Sequence, residues 1–236
     1  MMAMATKAAE GLHSLSGRAL AGFVRRLVIV SLLLFIPAGS VDWWQAWVFL
    51  IVFFTPQLLM ILYLLTNDAS LLERRLKGGP FVEPRTPQKV IISLVNIAFV
   101  WMVIVAGFDH NFNWSHVPTL LVIIADVVVL LGLLIQFRVF KENSFASAVV
   151  KVAANQKVIS TGPYAVVRHP LYSGALLGDF FIPLALGSWY GLPMVFVILL
   201  MFVLRLLDEE KLLHQSLPDY PEYCRRVPYR LVPHVW

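Results

Sequence analysis

The chain has 236 residues, of which 59% are hydrophobic and 14% are charged, and its mean hydropathy is +0.76. These values argue against an ordinary soluble domain and predict an integral membrane protein. The formal net charge of +5 would also suit a nucleic-acid-binding protein, so the positions of the basic residues decide between the two classes.

Six apolar runs follow one another along the chain. Several are long enough for a span of about 20 residues, whereas the first and the last two are short and need tilt or flanking polar residues. The runs cover about Gly22 to Pro37, Trp43 to Leu65, Val90 to Phe108, Val117 to Phe137, Leu171 to Leu186 and Leu192 to Leu207. The expected fold is all-α: one polytopic membrane domain, 1–236, with about six transmembrane helices. Residues 1–140 hold the first four helices, and 141–236 hold a loop, the last two helices and a tail.

The lysines and arginines all fall on one side of these six runs. The alternate connections, around Asp42, at Asp109 to His116 and at Ser188 to Gly191, contain none. This positive-inside pattern predicts a multi-pass protein with both termini in the cytoplasm. The basic balance is therefore explained by topology, and no nucleic-acid partner is expected. An aromatic belt is expected at the outer ends of the runs, at Trp43, Trp44, Trp47, Trp189 and Tyr190.

Within the first run, Arg25-Arg26 followed by Leu27 to Pro37 resembles a secretory signal, but a good small-x-small cleavage site is lacking and a second run follows at once. A retained helix is therefore expected. The single cysteine, Cys224, allows neither an intrachain disulfide nor a cysteine-based metal site. The histidines include no pair at His-x-x-x-His spacing, so no metal is expected.

Two basic-side segments carry turn residues. The connection from Thr66 to Lys89 contains Gly78-Gly79-Pro80, Pro84 and Pro87, which predict little regular structure. The last helix is expected to continue past Leu207 through Asp208 to Gln215. An extended covering tail is expected to follow, punctuated by Pro218, Pro221, Pro228 and Pro233.

The connection from Phe140 to Pro170 differs, because it contains β-prone stretches. Ala148 to Val152 and Lys157 to Ser160 are predicted to form a small hairpin, with its turn at Ala153 to Gln156. This hairpin would rest on the membrane surface and lead into the segment that follows.

That segment, Thr161 to Gly174, reads T-G-P-Y-A-V-V-R-H-P-L-Y-S-G. Its Gly-Pro and His-Pro pairs forbid a continuous helix and force a loop. Beside a membrane such a loop is tolerated only where it is buried in protein or lines a polar cavity. About thirty residues later, Arg205-x-x-x-Glu209-Glu210 is predicted at the same surface, so the two segments together are the leading candidate for a site.

Two acids lie within predicted spans, Asp126 in the fourth and Asp179 in the fifth. A carboxylate inside a membrane is costly and usually faces a partner or a cavity. We expect Asp126 to pair with Asn96, and contact with a polar part of a substrate is the alternative.

Three further features concern helix geometry. Gly174-x-x-x-Gly178 is expected to be a helix-packing face rather than a cofactor loop. Pro56 and Pro183 are expected to kink their helices and open space between them.

Four motifs occur in order in the last third of the chain. They are Gly162-Pro-Tyr164, Arg168-His-Pro-Leu-Tyr172-Ser-Gly174, Arg205-x-x-x-Glu209-Glu210, and Tyr220-x-x-Tyr223 followed by Arg230-Leu-Val-Pro233. In this order and spacing, the region from Gln156 to Trp236 resembles the isoprenylcysteine carboxyl methyltransferase and phospholipid methyltransferase superfamily. The resemblance implies a cytoplasmic pocket for S-adenosylmethionine and a lipophilic or prenylated methyl acceptor.

The resemblance also implies roles for individual residues. The cofactor would contact Gln156, Lys157, Val158, Ile159, Tyr164, His169, Pro170, Leu171, Tyr172 and Glu209. Many members have histidine at the position of Gln156, so backbone contacts are expected there. Arg205 falls where the family places the residue that faces the acceptor's carboxylate or polar head. The expected catalytic residues are Arg205, Glu209 and Glu210.

The chemistry of the proposed reaction is compatible with these residues. A carboxylate such as Glu209 can bind the ammonium or hydroxyl groups of S-adenosylmethionine, whose methyl is already activated, so that alignment supplies on the order of 7–11 kcal/mol. Arg205, four residues before Glu209, lies on the same helix face. A carboxylate acceptor, of which isoprenylcysteine is the first choice, needs no general base. An amine would need one, with Glu210 or His169 as candidates.

Other interpretations of the same residues stay open. Arg168 and Arg205 can simply anchor helix ends at the interface, and Glu209-Glu210 can form a solvated face. A membrane reductase using NADPH on sterol-like lipids is one rival function, since its members carry an Arg-His-Pro-x-Tyr loop. A transporter or scaffold, with Asp126 and Asp179 as a polar path, is the other.

Overall fold

The computed structural model describes residues 2–150 and 156–236, with side chains from residue 14 onward. In these residues the chain forms eight α-helices and a 3₁₀ helix at Gly162–Ala165, and it contains no strand. The α-helices are α1 Met2–Ala38, α2 Trp44–Asn67, α3 Ala69–Leu76, α4 Thr86–Phe112, α5 Thr119–Glu142, α6 Pro170–Ala185, α7 Leu192–Ser216 and α8 Tyr220–Arg226. The predicted all-α class is confirmed.

Four of the described helices are long and apolar enough to cross a membrane: Ser14–Ala38 within α1, α2, α4 and α5. Helix α6 is apolar but has 16 residues, which span about 24 Å of a hydrocarbon core of about 30 Å. Helix α7 is apolar up to Leu204 and charged from Arg205 onward. The molecule is thus a polytopic helical membrane protein, and membrane crossings by α6 and α7 remain predictions.

Helix α3 forms in the connection that was predicted to be irregular. Its N-cap is Asp68, whose carboxylate accepts a 2.9 Å hydrogen bond from the backbone N–H of Leu71. Leu71 and Leu72 are both buried. The prediction was wrong because a side-chain cap and two buried leucines stabilise a short helix before the glycine and proline turns.

The tail also contains a helix, α8, where an extended segment was predicted. Pro221 lies in its first turn, where the missing N–H removes no helical hydrogen bond. Tyr220 and Tyr223 are buried on its inner face. The continuation of α7 through Asp208 to Gln215 is confirmed.

The predicted hairpin is wrong in the residues that can be assessed. Lys157 to Ser160 has no regular structure, Ala148 to Val150 is bent, and residues 151–155 lie outside the described part of the chain. Backbone groups that would pair between the two strands of a hairpin form hydrogen bonds with side chains instead. The N–H of Val150 donates to Glu83 at 3.3 Å, and the carbonyl of Ala148 accepts from Arg205 at 3.0 Å.

Helices α5 and α6 approach each other through glycine. A Cβ on Gly132 would lie 2.5 Å from the carbonyl oxygen of Gly174 and 2.8 Å from the nitrogen of Gly178. Only glycine permits such backbone contact, which confirms Gly174-x-x-x-Gly178 as a packing face. The contact holds the first turn of α6 beside the end of α5, where the candidate site begins.

At the end of the bundle away from the basic loops, a buried carboxylate joins the connections between helices by hydrogen bonds. Asp109 accepts hydrogen bonds from the backbone N–H of Ser115 at 2.8 Å and from the hydroxyls of Ser115 and Ser188. Trp43 is 1% exposed and stacks on His110, with ring centroids 4.7 Å apart. Trp43 is therefore part of the core rather than of the predicted aromatic belt.

The expected pairing of Asp126 with Asn96 is not found. Asn96 donates its side-chain amide to the carbonyl of Ile92 at 2.8 Å, because a helix offers that acceptor one turn back. Both carboxylate oxygens of Asp126 are buried and have no hydrogen-bond partner among the described residues. Asp179 is half-buried in α6. Pro56 and Pro183 lie within α2 and α6.

Candidate functional site

An open cleft lies at the end of the molecule that carries the basic loops. Its walls come from the segment after α5, the first turn of α6, the second half of α7 and helix α8. Nine predicted site residues line it: Gln156, Lys157, Val158, Ile159, Tyr164, His169, Leu171, Tyr172 and Glu209. The three that do not are Pro170, Arg205 and Glu210.

The loop that positions these residues follows from its glycine and prolines. Gly162 has a φ of +56°, a conformation that glycine adopts without strain, and it opens the 3₁₀ helix that carries Tyr164. His169 is the N-cap of α6, and Pro170 occupies the first helical position, where a missing N–H costs no bond. Helix α6 therefore starts at the cleft.

Tyr172 and Glu209 form the polar centre of the cleft wall. The hydroxyl of Tyr172 donates to a carboxylate oxygen of Glu209 at 2.7 Å, and it accepts from Nε of Arg205 at 3.0 Å. Arg205 has no proton-accepting atom. The only hydroxyl proton of Tyr172 must therefore point to Glu209, which holds that carboxylate in one orientation.

Arg205 is 5% exposed and is surrounded by protein acceptors. Its Nη1 donates to Gln88 at 2.9 Å and its Nη2 donates to the carbonyl of Ala148 at 3.0 Å. The carboxylate of Glu83 lies 3.8 Å from Nη2. Arg205 is thus behind the cleft wall and supports Tyr172 from there.

Glu210 does not line the cleft and belongs to a second polar cluster, which lies behind the Arg-His-Pro loop. Its carboxylate lies 3.3 Å from Nε of Arg168, 3.3 Å from Nε2 of His169 and 2.8 Å from Nε of Arg230. Burial by itself would raise the pKa of Glu210, but hydrogen bonds from His169 and Arg230 and the nearby positive charges lower it to about 2. Glu210 therefore remains an anion that joins the Arg-His-Pro loop to the tail.

The tail covers the back of this loop. The N–H of Arg168 donates to the carbonyl of Tyr229 at 2.9 Å, and the N–H of His169 donates to that of Arg230 at 3.0 Å. The hydroxyl of Ser173 donates to the carbonyl of Leu231 at 2.7 Å. These bonds satisfy backbone groups of the loop that the His-Pro pair keeps out of a helix.

Tyr164 is fixed by two hydrogen bonds. Its hydroxyl accepts from the amide of Asn143 at 2.8 Å, and its carbonyl accepts from the hydroxyl of Tyr223 at 2.8 Å. Burial raises the pKa of Tyr164 to about 12. The group is therefore a neutral phenol that lines the cleft.

Several cleft residues were not predicted. They are Asn143, Phe145, Ala146, Ser147, Val149, Val150, Leu212, Leu213, Leu217, Tyr220 and Tyr223, together with Arg168. Two of them, Tyr220 and Tyr223, belong to a motif that the sequence shows, and Arg168 lies within the Arg-His-Pro loop. The others occur in segments without chemical motifs. Among the described residues, no group of three or more His, Cys, Asp or Glu could hold a metal ion.

Comparison with known proteins supports the resemblance over part of the chain. Residues 120–219 match the model of the phospholipid methyltransferase family, which confirms the predicted relationship for that segment. The match contains α6, the Arg-His-Pro loop, and Arg205, Glu209 and Glu210. It therefore covers most of the cleft wall.

Two relatives match shorter stretches. The chain is 31% identical to the Delta(14)-sterol reductase TM7SF2 of Mus musculus over 90 residues, which are 37% of this chain and 22% of that protein. It is 35% identical to the cobalt-zinc-cadmium resistance protein CzcN of Cupriavidus metallidurans over 79 residues, 31% of this chain and 35% of that protein. The chain thus matches about a fifth of the first relative and about a third of the second.

Proposed function

We propose, from the match of residues 120–219 to the phospholipid methyltransferase family, that the chain transfers a methyl group from S-adenosylmethionine to a lipophilic acceptor. The observation that carries the proposal is the carboxylate of Glu209, which lines the cleft and is oriented by Tyr172. The cleft would lie at the cytoplasmic face, because it is built from the basic connections.

The residues of the cleft fit S-adenosylmethionine. Apolar side chains make up much of the cleft's lining and are joined by a few polar groups, as is usual for small-molecule sites. Glu209 offers a carboxylate to the cationic part of the cofactor, and Tyr164 offers a neutral aromatic face. Apolar side chains such as Val158 and Leu213 suit the adenine ring.

Bound S-adenosylmethionine would supply a methyl group that its positive sulfur has already activated. The chain would therefore need no nucleophile of its own, and its task would be to bind and align. Glu209 would hold the cofactor's ammonium, and the hydrogen bond from Tyr172 would keep the carboxylate from rotating. Residues of α8, including Tyr220 and Tyr223, would cover the cleft and exclude water.

We propose the carboxylate of an isoprenylcysteine-like molecule as the first acceptor to test, since it needs no general base. Each of the three guanidinium nitrogens of Arg205 already donates to protein. Arg205 would therefore recognise the acceptor through a remaining N–H of Nη1 or Nη2, or by exchanging a present partner. For an amine acceptor, Glu210 is a poor base because its pKa is about 2. His169, which lines the cleft, is the better placed group.

A second candidate function is reduction of a sterol-like lipid with NADPH. The similarity to the Delta(14)-sterol reductase of Mus musculus favours it. The two functions differ in the soluble ligand that the cleft would take, so a binding measurement separates them.

The test is calorimetric titration of the detergent-purified protein with S-adenosylhomocysteine and, separately, with NADPH. We expect micromolar binding of S-adenosylhomocysteine, weakened by Glu209→Ala by about tenfold or more, as for a lost charge-assisted hydrogen bond. Glu222→Ala is the matched control, because Glu222 is exposed on α8 and, among the described residues, forms an ion pair with Arg226 on the same helix.

Unchanged affinity in Glu209→Ala would overturn the assignment of the site. Binding of NADPH without binding of S-adenosylhomocysteine would overturn the methyltransferase proposal in favour of the reductase.

A further inference from the structure

We propose that Gln88, in the first turn of α4, is a positioning residue for the cleft. Its amide fixes the guanidinium of Arg205 and, through it, the hydroxyl of Tyr172 and the carboxylate of Glu209. The inference rests on the proposed function in so far as it gives Glu209 a ligand to hold. It adds a residue from the half of the chain that lies outside the family match.

Gln88 is fully buried, at 0% exposure, and both ends of its amide are used. The carbonyl oxygen accepts from Nη1 of Arg205 at 2.9 Å, and the nitrogen donates to the carboxylate of Asp208. Because arginine only donates and a carboxylate only accepts, these two partners fix the orientation of the amide. A side chain with both a donor and an acceptor is needed between them.

The partners of Gln88 lie one turn apart on α7 and are themselves held. Asp208 forms an ion pair with Arg85 at 2.7 Å. Glu83, which is 2% exposed, places its carboxylate 3.8 Å from Arg205 and balances that buried charge. The end of the α3–α4 loop and the first turn of α4 thus form a platform beneath Arg205.

Two further hydrogen bonds connect Arg205 to the cleft. Arg205 donates to the hydroxyl of Tyr172, and Tyr172 donates to Glu209. If the amide of Gln88 is removed, Nη1 of Arg205 loses its acceptor, and the buried guanidinium must move to find another. Its Nε then no longer holds Tyr172, so the carboxylate of Glu209 loses its fixed orientation.

A purely structural role is the alternative, in which Gln88 only joins α4 to α7. In that case replacing Gln88 would lower stability, but its effect on ligand affinity would add to that of any change at Tyr172. The proposal is instead a relay, in which Gln88 affects the ligand through Arg205 and Tyr172. In a relay, replacing Gln88 has no further effect on affinity once the hydroxyl of Tyr172 is absent, so the two effects do not add.

The first test is a double-mutant cycle read by titration with S-adenosylhomocysteine. Gln88→Leu and Tyr172→Phe are each expected to weaken binding about tenfold. The double variant is expected to bind as Tyr172→Phe does, within about twofold. The control is Gln57→Leu on α2, since among the described residues the side chain of Gln57 donates to the carbonyl of Phe53 within its own helix.

The relay would be overturned if the double variant lost affinity by the product of the two single losses. It would also be overturned if Gln88→Leu bound S-adenosylhomocysteine with wild-type affinity. The same holds if Gln57→Leu weakens binding as much as Gln88→Leu, because the effect would then reflect any glutamine lost from a helix.

The second test needs no ligand. Fluorotyrosine is placed at position 172, and its ¹⁹F resonance reports the hydrogen bonding of that hydroxyl. We expect the resonance to shift in Gln88→Leu and to stay in place in Gln57→Leu. An unchanged resonance in Gln88→Leu overturns the inference whatever the binding data. A shifted resonance in a protein that binds no S-adenosylhomocysteine supports the relay, and only the proposed function then fails.

Discussion

Glu209 and Glu210 are adjacent in the chain, yet they have different surroundings. Successive residues of an α-helix are separated by about 100° around its axis. Glu209 therefore lines the cleft with Tyr172, whereas Glu210 is turned toward Arg168, His169 and Arg230. The pair thus places one carboxylate at the cleft, where it would meet the proposed ligand, and another where it holds the loop and tail together.

The second of these functions predicts a pH-dependent stability. The pKa of Glu210 is lowered from 4.5 to about 2 in the folded protein, so its contribution is present above pH 4.5 and is lost as the pH falls toward 2. A shift of this size corresponds to about 3 kcal/mol. We expect Glu210→Gln to be less stable than the wild type at pH 7, and the difference to shrink between pH 4.5 and 3.

Thermal unfolding in detergent across this range measures the difference, with the exposed Glu222→Gln as control. A difference in melting temperature between wild type and Glu210→Gln that stays constant with pH would contradict the assignment.

At the residue scale, the sequence predicted the motif-bearing part of the cleft wall. Tyr164, His169, Tyr172 and Glu209 were named because their spacing resembles a known family, and all four line the cleft. Gln88 could not be found in this way. Its partner Arg205 is 117 positions away. The sequence around a glutamine at the start of an apolar run does not indicate which residue that glutamine will contact when the helices pack.

At the scale of elements, the contact between α5 and α6 fixes the geometry of the site. Gly132 lies against the backbone of Gly174 and Gly178, so that α6 can start directly beside the end of α5. The 3₁₀ helix with Tyr164 also packs near α5, through the bond from Asn143. The wall of the cleft is therefore continuous only if α5 and α6 lie close together.

This packing predicts the effect of one added methyl group. In Gly132→Ala the new Cβ would lie 2.5 Å from the carbonyl oxygen of Gly174, and the helices would have to separate. We expect a loss of about 1–3 kcal/mol in stability. Gly22→Ala is the control, since a Cβ there would have no atom from another part of the described chain within 4 Å.

Thermal unfolding of the two variants in the same detergent provides the comparison. Equal melting temperatures for Gly132→Ala and wild type would contradict the close approach of α5 and α6.

The long helices could be predicted from hydropathy alone, because an apolar run of this length has few alternatives beside a membrane. The short elements could not. Helices α3 and α8 depend on tertiary burial of Leu71, Leu72, Tyr220 and Tyr223. The β-prone residues around Val150 are held as a bend because Glu83 takes a backbone N–H.

At the scale of the whole molecule, the basic loops and the cleft share one end of the helical bundle. The positive-inside pattern predicts that this end faces the cytoplasm, where a soluble cofactor is available. The apolar surfaces of α1, α2, α4 and α5 would give a lipophilic acceptor access from the bilayer. The architecture thus suits a reaction between one water-soluble and one lipid-soluble partner.

The measurement that bears on this account as a whole is transfer of label from S-adenosylmethionine carrying a tritiated methyl group. The protein is reconstituted in vesicles that contain a lipid extract, and the organic phase is counted. We predict that label enters the organic phase with the wild type and with Glu222→Ala, and falls at least tenfold with Glu209→Ala. Equal label in the organic phase with Glu209→Ala and wild type, or none with any of them, would contradict the account.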